Sequence, residues 1–508
     1  MYLIKNLPTN IPYLSLIWLL PLIGALIIMF IPREQKNAMR WTAAIFAGAS
    51  FFVALLVFFG YNPDAPGYLG TKMQFVEKIA WLPQVGMTYF LGADGISLPL
   101  LVLNGLVIFT GVFISWNIED RVKEYFVLLL ILVVGVYGVF MSLDLFLMFV
   151  FYELAVLPMY LLIGIWGSTR KEYGAMKLTI YLMIGSALVI VGMVAVYVVT
   201  GTFDMVVLSQ TIFSRTFQIV FFLPIFVGFA VLAGMFPFHT WSPTGHVAAP
   251  TAVSMLHAGV LMKLGAYGAL RVGLWLMPAG AQYWLPFIAV ITLMNVVYGA
   301  SIAMVQRDFK YVIGYSSVSH MGLVMLALAA ANETALNGAV MQMFAHGVMT
   351  ALFFAVVGRM VYERTHTRQL PELGGLMKVM PFAFVVFIIA SLSSMGMPGT
   401  AGFMAEFTIF TGVMQFNPWI AAIAAISIPI TAAYVLRVGY MAFMGEVKDP
   451  HFYELPPLTW QEKFAGTTLA IVVIGVGLFP SIIMDLIGTG VEPIAQRILD
   501  VAPVLAGR

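Results

Sequence analysis

The stretch "LAGMFPFHTWSPTGHVAAP", residues 232–250, interrupts an otherwise continuous apolar run. It sets Gly234, Pro237, Pro243 and Pro250 beside His239 and His246, between flanks hydrophobic enough to lie in lipid. Proline removes a helical hydrogen bond and glycine loosens the backbone. Inside a bilayer the N–H and C=O groups freed in this way persist only against protein or water. A break at this point therefore predicts a helix that opens onto a polar interior.

Composition fixes the class around that stretch. The chain has 508 residues, 61% of them hydrophobic and 9% charged, against about 25% charged in a soluble domain. Apolar runs recur along its length, and about 18 consecutive apolar residues suffice for a membrane span. The first run lacks a small-residue cleavage site and is expected to be retained as a helix. A net charge of +2 implies no nucleic acid or acidic partner. With no cysteine, the chain itself has no disulfide, thiolate metal site or iron–sulfur cluster.

The pattern predicts an all-α polytopic membrane protein with fourteen spans. Their cores are 12–32, 38–60, 91–116, 122–142, 144–167, 173–200, 218–236, 250–276, 284–305, 311–331, 335–361, 379–413 (interrupted), 418–444 and 463–486. Odd-numbered loops carry most of the Lys and Arg residues, for example Arg33, Lys36 and Arg40 in the first; the exception is the long loop 2/3, with Lys72 and Lys78. Loops 4/5, 8/9, 10/11 and 12/13 carry none. By the positive-inside rule the odd loops face the cytoplasm and both termini face the other side. A second Gly/Pro break, "SLSSMGMPGTAGFMAEF" at 391–407, lies five spans after the first. Two broken spans at that interval predict inverted five-helix repeats, helices 4–8 (121–276) and 9–13 (277–444); the alternative is that both are simple proline kinks. Residues 1–120 precede them, and 445–508 hold helix 14 and a tail.

Ionisable groups within the spans carry the chemistry. Each costs at least about 2.5–3.5 kcal/mol near the bilayer centre, so each needs a reason. Glu153, Lys263, His320, His346 and Glu406 stand out. Lys310 and Arg307 begin helix 10 at its basic edge, where orienting the helix is an equal reading. Arg271 and Arg359 read as structural. Carboxylate, amine and imidazole on successive helices make the inventory of a proton relay, and no redox or hydrolytic motif is visible.

The segments "GADGISLPLLVL", "FYELAVLPMYLLIGIWG", "PFHTW…H…AP", "LMKLGAYGALR", "QRDFKYVIGYSSVSHMG", "QMFAHGVMTALFF", "YERTHTR" and "GMPGTAGFMAEF" appear in order. They resemble the chain M family of antiporter-like membrane subunits in proton-translocating NADH:quinone oxidoreductase, respiratory complex I. The resemblance implies that Glu153 is the essential carboxylate on helix 5, with Lys263 the lysine on helix 8, His320 and His346 the histidines on helices 10 and 11, and Glu406 the acid at the helix 12 break. It implies that quinone reduction elsewhere drives protons through the chain, with NADH, flavin, iron–sulfur clusters and quinone on partner subunits. Adjacent antiporter-like subunits, small membrane subunits and the lipid bilayer are the implied partners, and the bacterial cytoplasmic membrane the implied location. Rival readings are a subunit of a membrane-bound hydrogenase or multi-subunit cation/proton antiporter, or a spacer that pumps nothing.

One departure falls in the opening stretch. The family's usual pattern there is a lysine, then a proline two residues on; here those positions hold Leu232 and Gly234. The helix 7 lysine that would partner Glu153 is missing. His257, six residues before Lys263, is the first candidate to compensate, and His239 the second.

Overall fold

The computed structural model describes residues 7–506 apart from residue 9, with side chains described to Asp500. Thirteen helices among the described residues are long and apolar enough to cross a membrane. In chain order, α1 is Tyr13–Phe30, α2 Lys36–Gly60, α3 Ser97–Ile114, α4 Val122–Met141, α5 Leu145–Trp166 and α6 Lys171–Thr200. The broken pass α7 is Arg215–Ala248, followed by α8 (Thr251–Leu274), α9 (Pro278–Val305), α10 (Phe309–Ala330) and α11 (Glu333–Thr365). The expected twelfth pass, α12, consists of two halves, Pro381–Ser394 and Ala401–Phe416. Each half is too short to count as a span alone; together they supply the length of one. α13 is Pro418–Phe443 and α14 Trp460–Leu478.

Burial sorts these helices. α8, α10 and α11 are enclosed almost completely, whereas α2, α6, α9 and α13 keep apolar side chains on the outside. Helices apolar on all sides, with their polar groups turned inward, are what a lipid solvent selects.

Side-chain bonds gather the odd-numbered loops on one face. Lys36 and Arg40 reach Glu119, joining loop 1/2 to loop 3/4. Arg368 of loop 11/12 reaches Asp308 of loop 9/10 and Ser168 of loop 5/6, and Arg364 binds Glu462 at the start of α14. Three boundaries differ from the expected ones, the first two on the opposite face and the third on the basic-loop face. The third span starts at Ser97, because residues 74–93 form a hairpin of β1 (Gln74–Leu82) and β2 (Met87–Ala93), paired antiparallel. Its Glu77 accepts the N–H groups of Leu14 and Ser15 at the start of α1, and its Lys78 pairs with Asp204 at 2.7 Å. The fourteenth span ends at Leu478; the expected tail is a further helix, α15 (Ser481–Ala506), laid against α9 and α11. The seventh span extends past 236 to Ala248.

A local motif recurs on both faces. Asp144 caps α5, accepting Phe146 and Leu147 N–H, and its backbone bridges Asp204 in loop 6/7. Asp308 caps α10, accepting Lys310 and Tyr311 N–H, and its backbone bridges Gln369 in loop 11/12. The first copy lies on the hairpin face and the second on the basic-loop face, as inverted topology requires.

Candidate functional site

Three buried passes lose regular α-helical geometry where charged groups cluster. The first half of α7 stops at Gly234, whose φ of +75° an L side chain rarely adopts. A short turn over Phe238–Thr240 leads to a second half, Trp241–Ala248, and Pro250 precedes α8. The sequence placed the break here. It did not foresee what holds it: Asn295 of α9 accepts the freed Phe236 N–H at 2.8 Å and donates to Val318 O at 2.8 Å. A lone asparagine in an apolar helix, costed as the charged groups were, would have marked it.

α8, expected as a plain helix, contains two π-helical stretches, His257–Leu261 and Ala269–Leu274, and α11 contains another, Ala355–Tyr362. Such turns shift the carbonyl register and recur at functional sites. Lys263 uses the first: its Nζ, fully buried, donates back to the Ala258 carbonyl.

From Lys263 a chain of contacts crosses the second half of the molecule. Lys263 Nζ lies 2.7 Å from His346 Nδ1. If the amine donates, the neutral His346 ring carries its proton on Nε2, a nitrogen with no protein partner. The His346 and His320 ring centroids are 5.3 Å apart. His320 Nε2 lies 3.2 Å from Ser394 Oγ, and its Nδ1 lies 3.0 Å from Glu406 Oε1. Gln342, absent from the sequence reading, sits between them, its amide 3.3 Å from His320 Nδ1 and 3.5 Å from Glu406 Oε1. The break in α12 brings Gly396 against Glu406: a Cβ there would stand 2.9 Å from Oε2. Glu406 also lines a cavity of about 310 Å³ whose other walls include Phe403, Phe407 and Met414.

The remaining candidates lie elsewhere. Lys310 is buried and does not snorkel; its Nζ donates to Ala249 O at 3.1 Å, at the joint of α7 and α8. Arg307 is exposed. His239 stacks on Phe236 and meets the edge of Tyr298, with neither ring nitrogen bonded. His257 packs on Trp241 and His246. Glu153 stands apart. It is half-buried beside Ser186 of α6, and among the described residues no Lys, Arg or His lies within ion-pair distance. Leu232 is fully buried where α7 packs on Gly265 of α8. His257 and His239, proposed to compensate, are thus not brought to Glu153 by an ion pair. Arg271 pairs with Asp94 and Arg359 with Glu363 and Glu462, in structural ion pairs.

The family described as "NADH:quinone oxidoreductase/Mrp antiporter, TM" matches residues 142–431. NADH-quinone oxidoreductase subunit M of Rhodobacter capsulatus is 37% identical over 502 residues, spanning 95% of this chain and 96% of its own. A chain of respiratory complex I from Thermus thermophilus with bound NADH superposes with a TM-score of 0.87 at 25% identity, covering 96% and 99%. A chain of the Mrp complex from Dietzia sp. DQ12-45-1b gives 0.83 at 20% identity over 96% and 99%, a likeness of fold alone.

Proposed function

The chain belongs to the NADH:quinone oxidoreductase/Mrp antiporter family, and we propose that it serves as the proton-translocating, M-type membrane-arm subunit of NADH:quinone oxidoreductase. It is an integral multi-pass protein that assembles with the other membrane-arm subunits. NADH, flavin, iron–sulfur clusters and quinone belong on partner chains; the lack of cysteine here supports that division for the clusters. The Mrp neighbour shares only the fold, whereas the 37% identical relative matches end to end, which favours the oxidoreductase over the antiporter reading.

The observation that carries the mechanism is the buried line Lys263–His346–His320–Glu406. An imidazole accepts a proton on one ring nitrogen and releases it from the other. A proton leaving Lys263 Nζ binds His346 Nδ1, and His346 gives up the proton on Nε2. The His320 ring lies next in line, its centroid 5.3 Å from that of His346, within the reach of a proton transfer made directly or through one water. His320 takes the proton at Nε2 and passes the one on Nδ1 to Glu406, at the break in α12. Freed backbone dipoles at the two breaks flank this line, the arrangement in which broken helices serve transport.

We take residues 121–276 and 277–444 as the two repeats, and the basic-loop face as cytoplasmic, with both termini opposite. The cysteine-free chain makes the second point testable. A single cysteine replacing Ile212, which is 96% exposed on the hairpin face, should react with an impermeant thiol reagent from outside the cell; reaction only from inside reverses the topology.

The relay is tested by Lys263→Ala in the assembled complex. Quinone reduction and pumping should slow together, because coupling runs both ways. Electron transfer at the wild-type rate across an energised membrane contradicts the relay.

A further inference from the structure

Between the α7 break and Lys263 lies a pair of imidazoles that the relay above does not use. His246, on the second half of α7, and His257, which opens the π-helical turn of α8, have ring centroids 4.0 Å apart. Both are fully buried. Ser242 Oγ lies 3.1 Å from His246 Nε2, while His246 Nδ1 and both nitrogens of His257 meet no protein partner. Trp241 stacks on His257 and Phe354 covers His246, so the pair is walled by rings. Buried polar atoms are almost always bonded, and three unbonded nitrogens on two touching rings are not explained by packing.

The surroundings give the pair a direction. Toward the basic-loop face, Lys310 donates to the Ala249 carbonyl, three residues beyond His246. Toward the centre, Lys263 is anchored on the Ala258 carbonyl, next to His257. Two imidazolium charges this close in a low-dielectric interior repel strongly, so the pair can hold at most one excess proton. Leu232, buried on the same α7–α8 contact, offers no charge of its own.

We infer that His246 and His257 form a proton-holding site, loaded from the basic-loop face past Lys310 and delivering to Lys263, which takes the place of the α7 lysine. The inference rests on the relay reading of Lys263. In the transfer an N–H bond of the His257 imidazolium breaks as an N–H bond forms on the neutral amine of Lys263. The pair is left neutral, ready to accept the next proton from the basic-loop face.

The experiment uses His246→Gln and His257→Gln in the intact complex, purified and reconstituted in liposomes, with assembly checked by subunit content. Glutamine keeps a polar side chain and cannot carry the proton. Each variant should lower quinone reductase turnover and pumping by on the order of 10²-fold, the scale of a lost proton-transfer group. The double variant should be no slower than the worse single one, because the two act as a unit. Adding Leu232→Lys to His257→Gln should restore most of the rate. An assembled His257→Gln complex at wild-type turnover, with Lys263→Ala still blocked, overturns the pair and leaves the relay standing. Wild-type turnover in Lys263→Ala as well overturns both. A block that Leu232→Lys does not relieve overturns the replacement of the α7 lysine.

Discussion

At the break in α7 the chain turns at Gly234 with φ +75°, and a side chain placed there would meet the terminal methyl of Met262. At the break in α12 it turns at Gly396 with φ +64°, and a side chain there would meet the carboxylate of Glu406. The backbone device is the same: a helix half ended by a left-handed glycine, with a proline just beyond. What faces it differs. The α12 break holds a carboxylate bonded to an imidazole, whereas the α7 break has no carboxylate against it: Gly234 faces Met262 and Ser242, and the freed Phe236 N–H is held by the neutral amide of Asn295. A broken helix thus supplies an opening and backbone dipoles, and the residue set against it decides whether charge passes.

The comparison breaks most sharply at His320, which couples Lys263 and His346 to Glu406. His320→Gln removes the carrier and should slow quinone-coupled turnover on the order of 10²-fold, read from steady-state rates of the assembled complex. Gly396→Ala is subtler. It adds a Cβ 2.9 Å from Glu406 Oε2 at a positive φ, so the carboxylate must shift. Since misplacement by about 1 Å can cost 10²-fold, the rate should fall by about tenfold with assembly intact.

At the α7 break, Asn295→Leu leaves the Phe236 N–H unpaired and should destabilise the subunit by about 1–3 kcal/mol. A lower thermal midpoint in detergent, with turnover of the remaining folded complex unchanged, is the expected pattern. Far from both breaks, the exposed Glu119 is held below the ordinary carboxylate range by Lys36 and then Arg40. A lowered pKa contributes stability above the ordinary value that is lost on acidification, but exposed pairs contribute little. Glu119→Gln should leave the midpoint at pH 7 unchanged within error.

The sequence reading reached the α12 side of this comparison more fully than the α7 side, for a physical reason. Lys263, His320, His346 and Glu406 were legible because charge and imidazole are expensive in lipid, and Gly234 and Pro237 because they break helices anywhere. Gln342 and Asn295 passed unnoticed, since neutral amides cost less and their value depends on what they face. The hairpin of residues 74–93 stayed hidden beside far stronger apolar signals, and the π-helical turn at His257 leaves no mark on helical periodicity. His246 was visible in the quoted stretch, but its meeting with His257 exists only after α7 folds back on α8.

The most direct test sets the two carboxylates side by side. Glu406→Gln and Glu153→Gln are each made in the complete complex, and the rates of quinone reduction and of proton pumping are measured in the same reconstituted vesicles. Glu406 is bonded into the relay and Glu153 has no ionic partner. Glu406→Gln should therefore lower turnover and pumping together, and Glu153→Gln should depress them less. Normal pumping in assembled Glu406→Gln, with the loss confined to Glu153→Gln, would contradict the path through His346 and His320.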